Sequence, residues 1–277
     1  DGTEVQIAPI DVQYQSAPLL KRMLTNFAGP MNNFILGIAV FIAIAFVQGG
    51  VTVNESRLGE IQPDSPAEAA GLRENDEVLA VNGDATADWT ELVTSIQANP
   101  GNQITLTVVT DGEEARDVLV TPDTKTDEQG NEYGLIGVAV PMNRTLMAKI
   151  SYGFKEFWVI ATSIFGLVFA MFRTGFQADS FGGPVAIYAA TEQVVDYGFL
   201  SVLSFLAYLS INLGVVNLLP IPALDGGKLL LNLVEGIRGK PLDPEKEGII
   251  TAIGMGLLLL LMVIVTWNDI QRFFFGQ

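Results

Sequence analysis

The sequence predicts a polytopic α-helical membrane protein that carries an inserted α+β domain. Three observations predict it: the mean hydropathy of the 277 residues is +0.37, long uncharged runs recur along the chain, and the acidic residues concentrate between those runs. Residues 54–149 hold 18 Asp and Glu against 6 Lys and Arg, so this stretch carries −12 of the net charge of −16. We therefore expect an acidic water-exposed domain between hydrophobic helices.

The composition excludes several classes of site. A net charge of −16 argues against nucleic acid as a partner, because phosphate binding needs clustered Lys and Arg. The chain has no Cys, which excludes disulfides and thiolate metal sites within it. It also has no His, so a zinc site built from this chain alone would have only carboxylates as ligands.

Three uncharged runs reach the roughly 20 residues that a helix needs to cross the hydrocarbon core. The predicted spans are residues 31–53, 197–222 and 248–268. In the second run, Pro220 and Pro222 would interrupt the backbone hydrogen-bond ladder. Asp225 follows directly, and a carboxylate beside a broken span is a candidate functional group.

The remaining segments are assigned from their charge and length. Residues 1–30 are predicted to be a cytoplasmic or membrane-dipping β segment, in which Val5–Val12 forms either a substrate-pairing edge strand or a plain hairpin. The uncharged run Phe157–Phe172 has 16 residues, which is short for a span, so residues 143–196 are predicted to be an amphipathic membrane-surface helix with its connector. This assignment puts both basic clusters on the cytoplasmic side. They are Lys21 and Arg22 before the first span, and Lys228, Arg238, Lys240 and Lys246 after Asp225.

With that topology, residues 223–247 form a cytoplasmic loop, and residues 54–142 and 269–277 lie outside the cytoplasm. The acidic domain begins with a pattern of strand, turn, short helix capped near Ser65, Gly71 at the helix end, strand, and an Asn82-Gly83 turn. Its later predicted elements are a helix at Trp89–Asn99, a hairpin of Gln103–Val109 and Glu114–Val120 around Asp111-Gly112, and a last strand at Tyr133–Val140.

The pattern Ser-Pro-Ala-x-x-Ala-Gly-Leu-x-x-x-Asp, followed by apolar residues and Asn-Gly, resembles a bacterial, circularly permuted PDZ domain. In such domains the position held here by Leu58, Gly59, Glu60 and Ile61 often binds a peptide carboxylate through backbone amides. Glu60 would repel that anion, so the resemblance implies either weak peptide binding or a size filter that keeps folded ectodomains away from the membrane.

Asp225 has three possible roles from the residues alone. An aspartyl dyad needs a second intramembrane Asp, and no other apolar run contains one. An ion-pathway role in a transporter would usually come with two similar halves, each with an interrupted helix. A metal ligand needs partner ligands, and this chain cannot supply imidazoles.

The order of motifs resembles site-2 protease intramembrane zinc metalloproteases of the RseP-like, single-PDZ, Gram-positive type. The residues that carry this resemblance are Asn217-x-x-Pro220-x-Pro222-x-x-Asp225-Gly226, Ala28-Gly-Pro-x-x-Asn33 and Gly182-Gly-Pro184. The resemblance implies a multi-pass protein of the bacterial plasma membrane that cleaves membrane-spanning protein substrates, such as anti-sigma factors and remnant signal peptides, with Zn²⁺-activated water.

The resemblance also implies the roles of individual residues. Asp225 would be a zinc ligand, and Asn217, Asn33, Pro220 and Pro222 would face or shape the substrate site. The family's His-Glu-x-x-His helix is absent from this sequence, so we expect that helix to lie upstream and this chain alone to be inactive and to bind zinc weakly.

Two alternatives to the protease interpretation remain open. A catalytically dead membrane scaffold would bind peptides through the PDZ-like domain and would hold no zinc. A small transporter or channel component would couple a flux to Asp225 without proteolysis. For single residues, the alternative role of Asn217 is a hydrogen bond between helices, and the alternative role of Asn33 is helix packing.

Overall fold

The computed structural model describes residues 17–110, 113–127, 129–175, 182–240 and 242–274. The predicted Val5–Val12 strand and the Asp111-Gly112 turn lie outside these residues. The described chain divides into two compact units, one built from residues 45–149 and the other from the segments before and after it.

Within the described ranges, the strands belong to the inserted unit, where they alternate with short helices. The helices are α1 (Leu19–Val47), α2 (Pro66–Ala69), α3 (Trp89–Gln97), α4 (Leu146–Thr174), α5 (Pro184–Asp196), α6 (Phe199–Asn217), α7 (Asp225–Arg238) and α8 (Pro244–Phe274). The strands are β1 (Val51–Thr52), β2 (Glu77–Val81), β3 (Asp84–Ala85), β4 (Ile104–Val109), β5 (Arg116–Val120), β6 (Asp123–Thr126), β7 (Glu132–Leu135) and β8 (Met142–Asn143).

The helical unit is organised around the contact between α1 and α6. A Cβ atom added at Gly37 of α1 would lie 3.2 Å from the carbonyl oxygen of Ala207, and one added at Gly214 of α6 would lie 3.1 Å from the carbonyl oxygen of Pro30. Because residue numbers rise along α6 as they fall along α1, the two helices run antiparallel. Small residues at such contacts let the helix backbones approach closely.

The start of α1 differs from the prediction. The helix begins at Leu19 rather than at residue 31, so the part of the predicted β segment that the structure describes is helical. Pro30, expected at a helix start, lies inside α1 and is fully buried. Its missing N–H leaves one intrahelical bond unmade, a cost that the packing of α1 against α6 offsets.

Helix α4 also differs from the expected surface helix. It has 29 residues because the helix includes Lys149, Lys155 and Glu156, which the count of uncharged residues left out. The Phe34 and Phe157 rings are 5.0 Å apart, and the Phe41 and Tyr152 rings 6.1 Å apart. The two pairs run antiparallel along α1, so α4 packs lengthwise against α1.

The number of candidate spans changes accordingly. By length and composition, four of the described helices are able to cross a membrane: Leu19–Val47, Leu146–Met171, Phe199–Asn217 and Glu245–Phe274. The sequence predicted three, in addition to one surface helix. The expected cytoplasmic loop at residues 223–247 also contains a helix, α7, and the expected tail from residue 269 continues α8 as far as Phe274.

The inserted unit has the architecture that the PDZ-like signature predicts. Its main antiparallel sheet has the strand order β3-β2-β4-β5, and its core is built by alternate residues of β4 and β5 with Leu58, Leu92 and Ile136. The Ser65 hydroxyl accepts a hydrogen bond from the Glu68 N–H at the start of α2, as expected of an N-cap. Asn82 and Gly83 both have positive φ, which confirms the predicted tight turn between β2 and β3.

Asp76 is the fully buried acid of the inserted unit. Its carboxylate accepts hydrogen bonds from the Thr110 hydroxyl at 2.6 Å, from the Arg116 guanidinium at 3.0 Å and from the Arg73 N–H at 3.0 Å. The carbonyl of Asp76 accepts from the Leu58 N–H. This one residue therefore ties three loops and β5 together at the edge of the core.

We predict that Asp76→Ala destabilises the inserted unit by about 1–3 kcal/mol, because it removes the acceptor of the Arg73 N–H, the Thr110 hydroxyl and the Arg116 guanidinium. Hydrogen exchange of the β2 and β4 amides in the whole chain measures the effect. Glu114→Ala removes the same charge from an exposed loop position and should leave that exchange unchanged. Equal protection in the two variants would contradict the assignment.

Candidate functional site

The break between α6 and α7 is the centre of the candidate site. Helix α6 ends at Asn217, before the predicted end at residue 222, and α7 begins at Asp225. The break predicted at Pro220 and Pro222 therefore separates Asn217 from Asp225. Ala223 in the connecting loop has a φ of 86°, a left-handed conformation that is uncommon for a residue with a side chain. Such strain persists only where surrounding contacts determine the backbone.

Two buried glycines hold this break in a compact form. A Cβ atom at Gly226 would clash with the carbonyl of Leu218, and one at Gly227 would clash with the carbonyl of Ile221. Since any side chain would separate these segments, glycine at both positions lets the first turn of α7 fold back against the end of α6.

The Asp225 carboxylate lies against α1. Its Oδ2 atom is 3.1 Å from the position that a Cβ atom would take at Gly29, and Asp225 is half-buried. As the first residue of α7, the carboxylate also lies where the helix dipole favours negative charge. Gly29, which belongs to the Ala28-Gly-Pro-x-x-Asn33 pattern, therefore leaves the space that this carboxylate uses.

The other predicted site residues lie on α1, at the end of α6 and in the loop before Asp225. Asn33 and Asn217 are both half-buried, and the carbonyl of Asn33 accepts a hydrogen bond from the Ser210 hydroxyl at 3.0 Å, which links α1 to α6. The carbonyl of Pro222 packs against Gly254 of α8, where no Cβ atom would fit. Pro220 is exposed.

An apolar cleft of about 490 Å³ opens beside this loop. Pro220 and Gly226 form one wall, Leu229 and Leu233 of α7 the second, and the first turns of α1, including Phe27, the third. Pro220 thus contacts open space next to the acid-bearing turn. This cleft lies within the helical unit, on the side of α7 that faces the start of α1.

At this site the structure describes one side chain able to bind a metal ion, the Asp225 carboxylate. Among them, no group of three His, Cys, Asp or Glu side chains is close enough to hold a metal ion. A half-buried carboxylate beside a glycine backbone and an apolar cleft fits the role of a single zinc ligand. A complete zinc site would need further ligands, and this chain has no His or Cys to give.

The proposed PDZ peptide site is arranged differently from an open carboxylate-binding loop. The Leu58 N–H donates to the Asp76 carbonyl and the Gly59 N–H donates to the Ala139 carbonyl, while the Leu58 side chain is fully buried. Ile61 pairs with Val138 as an isolated bridge, and Glu60 is exposed. A peptide carboxylate would have to compete with these internal bonds for two of the four amides.

Asp269, a buried acid that the sequence did not predict as functional, explains the glycine before Pro184 in the Gly182-Gly183-Pro184 motif. Asp269 of α8 is 2% exposed, and its Oδ2 accepts a hydrogen bond from the Ala186 N–H at 3.0 Å. A Cβ atom at Gly183 would lie 2.7 Å from the same oxygen. The Asp269 side chain therefore caps the N-terminus of α5 from another helix, which no local sequence signal indicates.

The chain was compared with known proteins and structures. The family model described as Peptidase family M50 matches residues 2–261. This chain belongs to that family. It is 49% identical over 276 residues to "Probable protease eep" of Enterococcus faecalis and 44% identical over 274 residues to "Zinc metalloprotease RasP" of Geobacillus kaustophilus.

In both comparisons the match covers 99% of this chain, but only 65% of the Enterococcus protein and 64% of the Geobacillus protein. The M50 chain therefore spans less than two thirds of the length of these relatives. Among solved structures, the chain is similar to the PDZ domain of the SdrC-like protein from Listeria monocytogenes. The match covers 32% of this chain and 90% of the Listeria chain, with 19% sequence identity and a TM-score of 0.27.

Gly254 offers a direct test of the loop packing. Gly254→Ala should lower the free energy of unfolding of the helical unit by about 1–3 kcal/mol, because the added methyl group forces the Pro222 carbonyl away from α8. Gly256→Ala is the matched control, since a Cβ atom there meets nothing within 4 Å. Unfolding titrations in mixed detergent micelles compare the two variants, and an equal effect would show that α8 does not contact the loop in this way.

Proposed function

We propose that this chain forms the Asp225-bearing part of a zinc-dependent intramembrane endopeptidase that carries out regulated intramembrane proteolysis. Its substrates are membrane-anchored proteins, with anti-sigma factors and remnant signal peptides as the expected classes. The protein is placed in the bacterial plasma membrane, with the acidic inserted unit outside the cytoplasm. The observation that carries the proposal is the half-buried Asp225 carboxylate held against Gly29 of α1 in a chain of family M50.

The names and lengths of the relatives support zinc as the metal that Asp225 would bind. The Geobacillus kaustophilus relative is named as a zinc metalloprotease, and it is longer than this chain. We infer that Asp225 holds the zinc ion together with ligands from residues beyond this chain. When bound, zinc would lower the pKa of a coordinated water and so supply a nucleophile for peptide hydrolysis.

This chain's own residues would orient the metal and the substrate. The glycine contacts fix the start of α7, and the Asp225 carboxylate lies against Gly29 of α1. Asn217 lies at the end of α6 with a side chain able to donate to a substrate carbonyl and accept from a substrate amide. Two hydrogen bonds of this kind would keep a substrate extended, as hydrolysis of its backbone requires.

The cleft and the inserted unit would control which substrates arrive. The apolar cleft beside Pro220 would accept apolar chain next to the acid, and Pro222 would keep the loop away from helical geometry. The inserted unit would act as a size filter more than as a peptide clamp, because two of its candidate amides already donate within the unit.

Asp225→Asn should abolish cleavage by the full-length protein and reduce its zinc content, while membrane insertion stays intact. The amide has nearly the same size as the carboxylate but lacks its charge. Asp196→Asn, at an exposed position of α5, is the control. Cleavage of a membrane-anchored reporter and zinc analysis of the purified protein measure the two effects. A wild-type protein that inserts but neither cleaves nor retains zinc would favour the scaffold alternative.

Gly29→Val should slow cleavage by the full-length protein at least about tenfold, because the new side chain occupies the space of the Asp225 carboxylate and displaces a metal ligand. Gly166→Val makes the same change on α4, where an added Cβ atom meets nothing within 4 Å, and should leave the rate unchanged. Rates are measured on the same reporter at matched protein levels. Similar rates for both variants would remove Gly29 from the site.

A further inference from the structure

A buried polar cluster joins the start of α1 to α7. Arg22 Nη1 donates to Glu235 Oε2 at 3.1 Å, and Arg22 Nη2 contacts Glu235 Oε1. Arg22 Nη1 also lies 3.5 Å from Asn232 Oδ1. Arg22 is 9% exposed and Asn232 6% exposed. The two parallel contacts between guanidinium and carboxylate give this pair a defined direction as well as attraction.

Stability alone does not explain this cluster. Removing a guanidinium and a carboxylate from water has a large cost, and apolar residues of similar volume often stabilise as much or more. Asn232 Nδ2 is buried and has no hydrogen-bond partner among the described residues, which adds a further cost. The cluster fixes the register between the two helices. An apolar contact does not, since dispersion contacts have little directionality.

That register bears on Asp225. Helix α7 meets α1 at two levels: Glu235 at Arg22, and Asp225 at Gly29. The levels are about 10 Å apart along α1 and about 15 Å apart along α7 at 1.5 Å per residue. Two contacts at separate levels restrain both the sliding and the rotation of α7. Without the Arg22 contact, the loop before Asp225, the glycine contacts and the apolar contact of Leu19 with Gly236 would remain, and none of these is a directional bond between side chains.

We propose that Arg22 and Glu235 are positioning residues for Asp225, which hold α7 in the register that places the Asp225 carboxylate beside Gly29. This inference rests on the proposed function of Asp225. The pair lies ten residues beyond Asp225 on α7 and touches no reacting atom. Its effect is expected in the rate of the chemical step, because a displaced carboxylate weakens an interaction that matters most in the transition state.

The test uses the full-length protein with Glu235→Gln, with Arg22→Glu, and with the exchanged pair Arg22→Glu/Glu235→Arg. Glu235→Gln should lower kcat for reporter cleavage by about 10–100-fold, the range found when groups that orient a metal ligand are removed, with KM unchanged. The exchanged pair should recover most of that loss. Glu245→Gln, which removes the same charge at an exposed position of α8, should match the wild type.

A second readout is independent of activity. Because this chain contains no Cys, spin labels can be attached at cysteines introduced for Thr25 of α1 and Lys228 of α7, both exposed. Glu235→Gln should broaden or shift the distance between the labels, and the exchanged pair should restore it.

Wild-type kcat in Glu235→Gln, an unchanged label distance, or an exchanged pair that stays as slow as the single variants would each overturn the positioning role. A lower unfolding midpoint with normal kcat would assign the pair to stability alone. The Asp225→Asn variant, measured beside these, separates the two proposals: if it cleaves normally, the proposed function fails, whereas the label distances still decide whether the pair sets the register of α7.

Discussion

The antiparallel packing of α1 against α6 is the constraint on which the rest of the helical unit depends. Gly37 and Gly214 allow the two backbones to approach so closely that Ile211 and Val215 have no exposed surface. In a membrane, where burying apolar surface gives little driving force, such close packing is the main source of helix association. A larger residue at either glycine would separate the helices along their whole contact.

This packing determines where the carboxylate lies. Because α6 runs antiparallel to α1, its end returns to the level at which α1 has Gly29, and the strained loop at Ala223 then delivers Asp225 to that glycine. Contacts of Gly226, Gly227 and Gly254 hold the loop from three directions. The acid is therefore placed by backbone packing around it, which suits a group that must keep one orientation.

The sequence predicted the helical membrane class, the inserted PDZ-like unit and the prominence of Asp225, because each leaves a local signal: uncharged runs, a Ser65-to-Gly83 signature, and prolines before an acid. It missed the start of α1 and the length of α4, since helix formation continues through the charged residues at Lys21 and Lys149 that hydropathy treats as boundaries. It also missed Arg22–Glu235 and Asp269, whose partners are distant in sequence and are brought together only by tertiary packing. No local pattern marks such pairs.

The sidedness of the two basic clusters tests the antiparallel arrangement most directly. Single cysteines can replace Lys21 near the start of α1 and Lys228 of α7 in a chain that otherwise has none, and a membrane-impermeant thiol reagent is then applied to sealed vesicles of known orientation. The arrangement predicts that both cysteines react from the cytoplasmic side and are both protected from the other. Reaction of the two from opposite sides would mean that α6 does not return to the start of α1, and Asp225 could not lie beside Gly29.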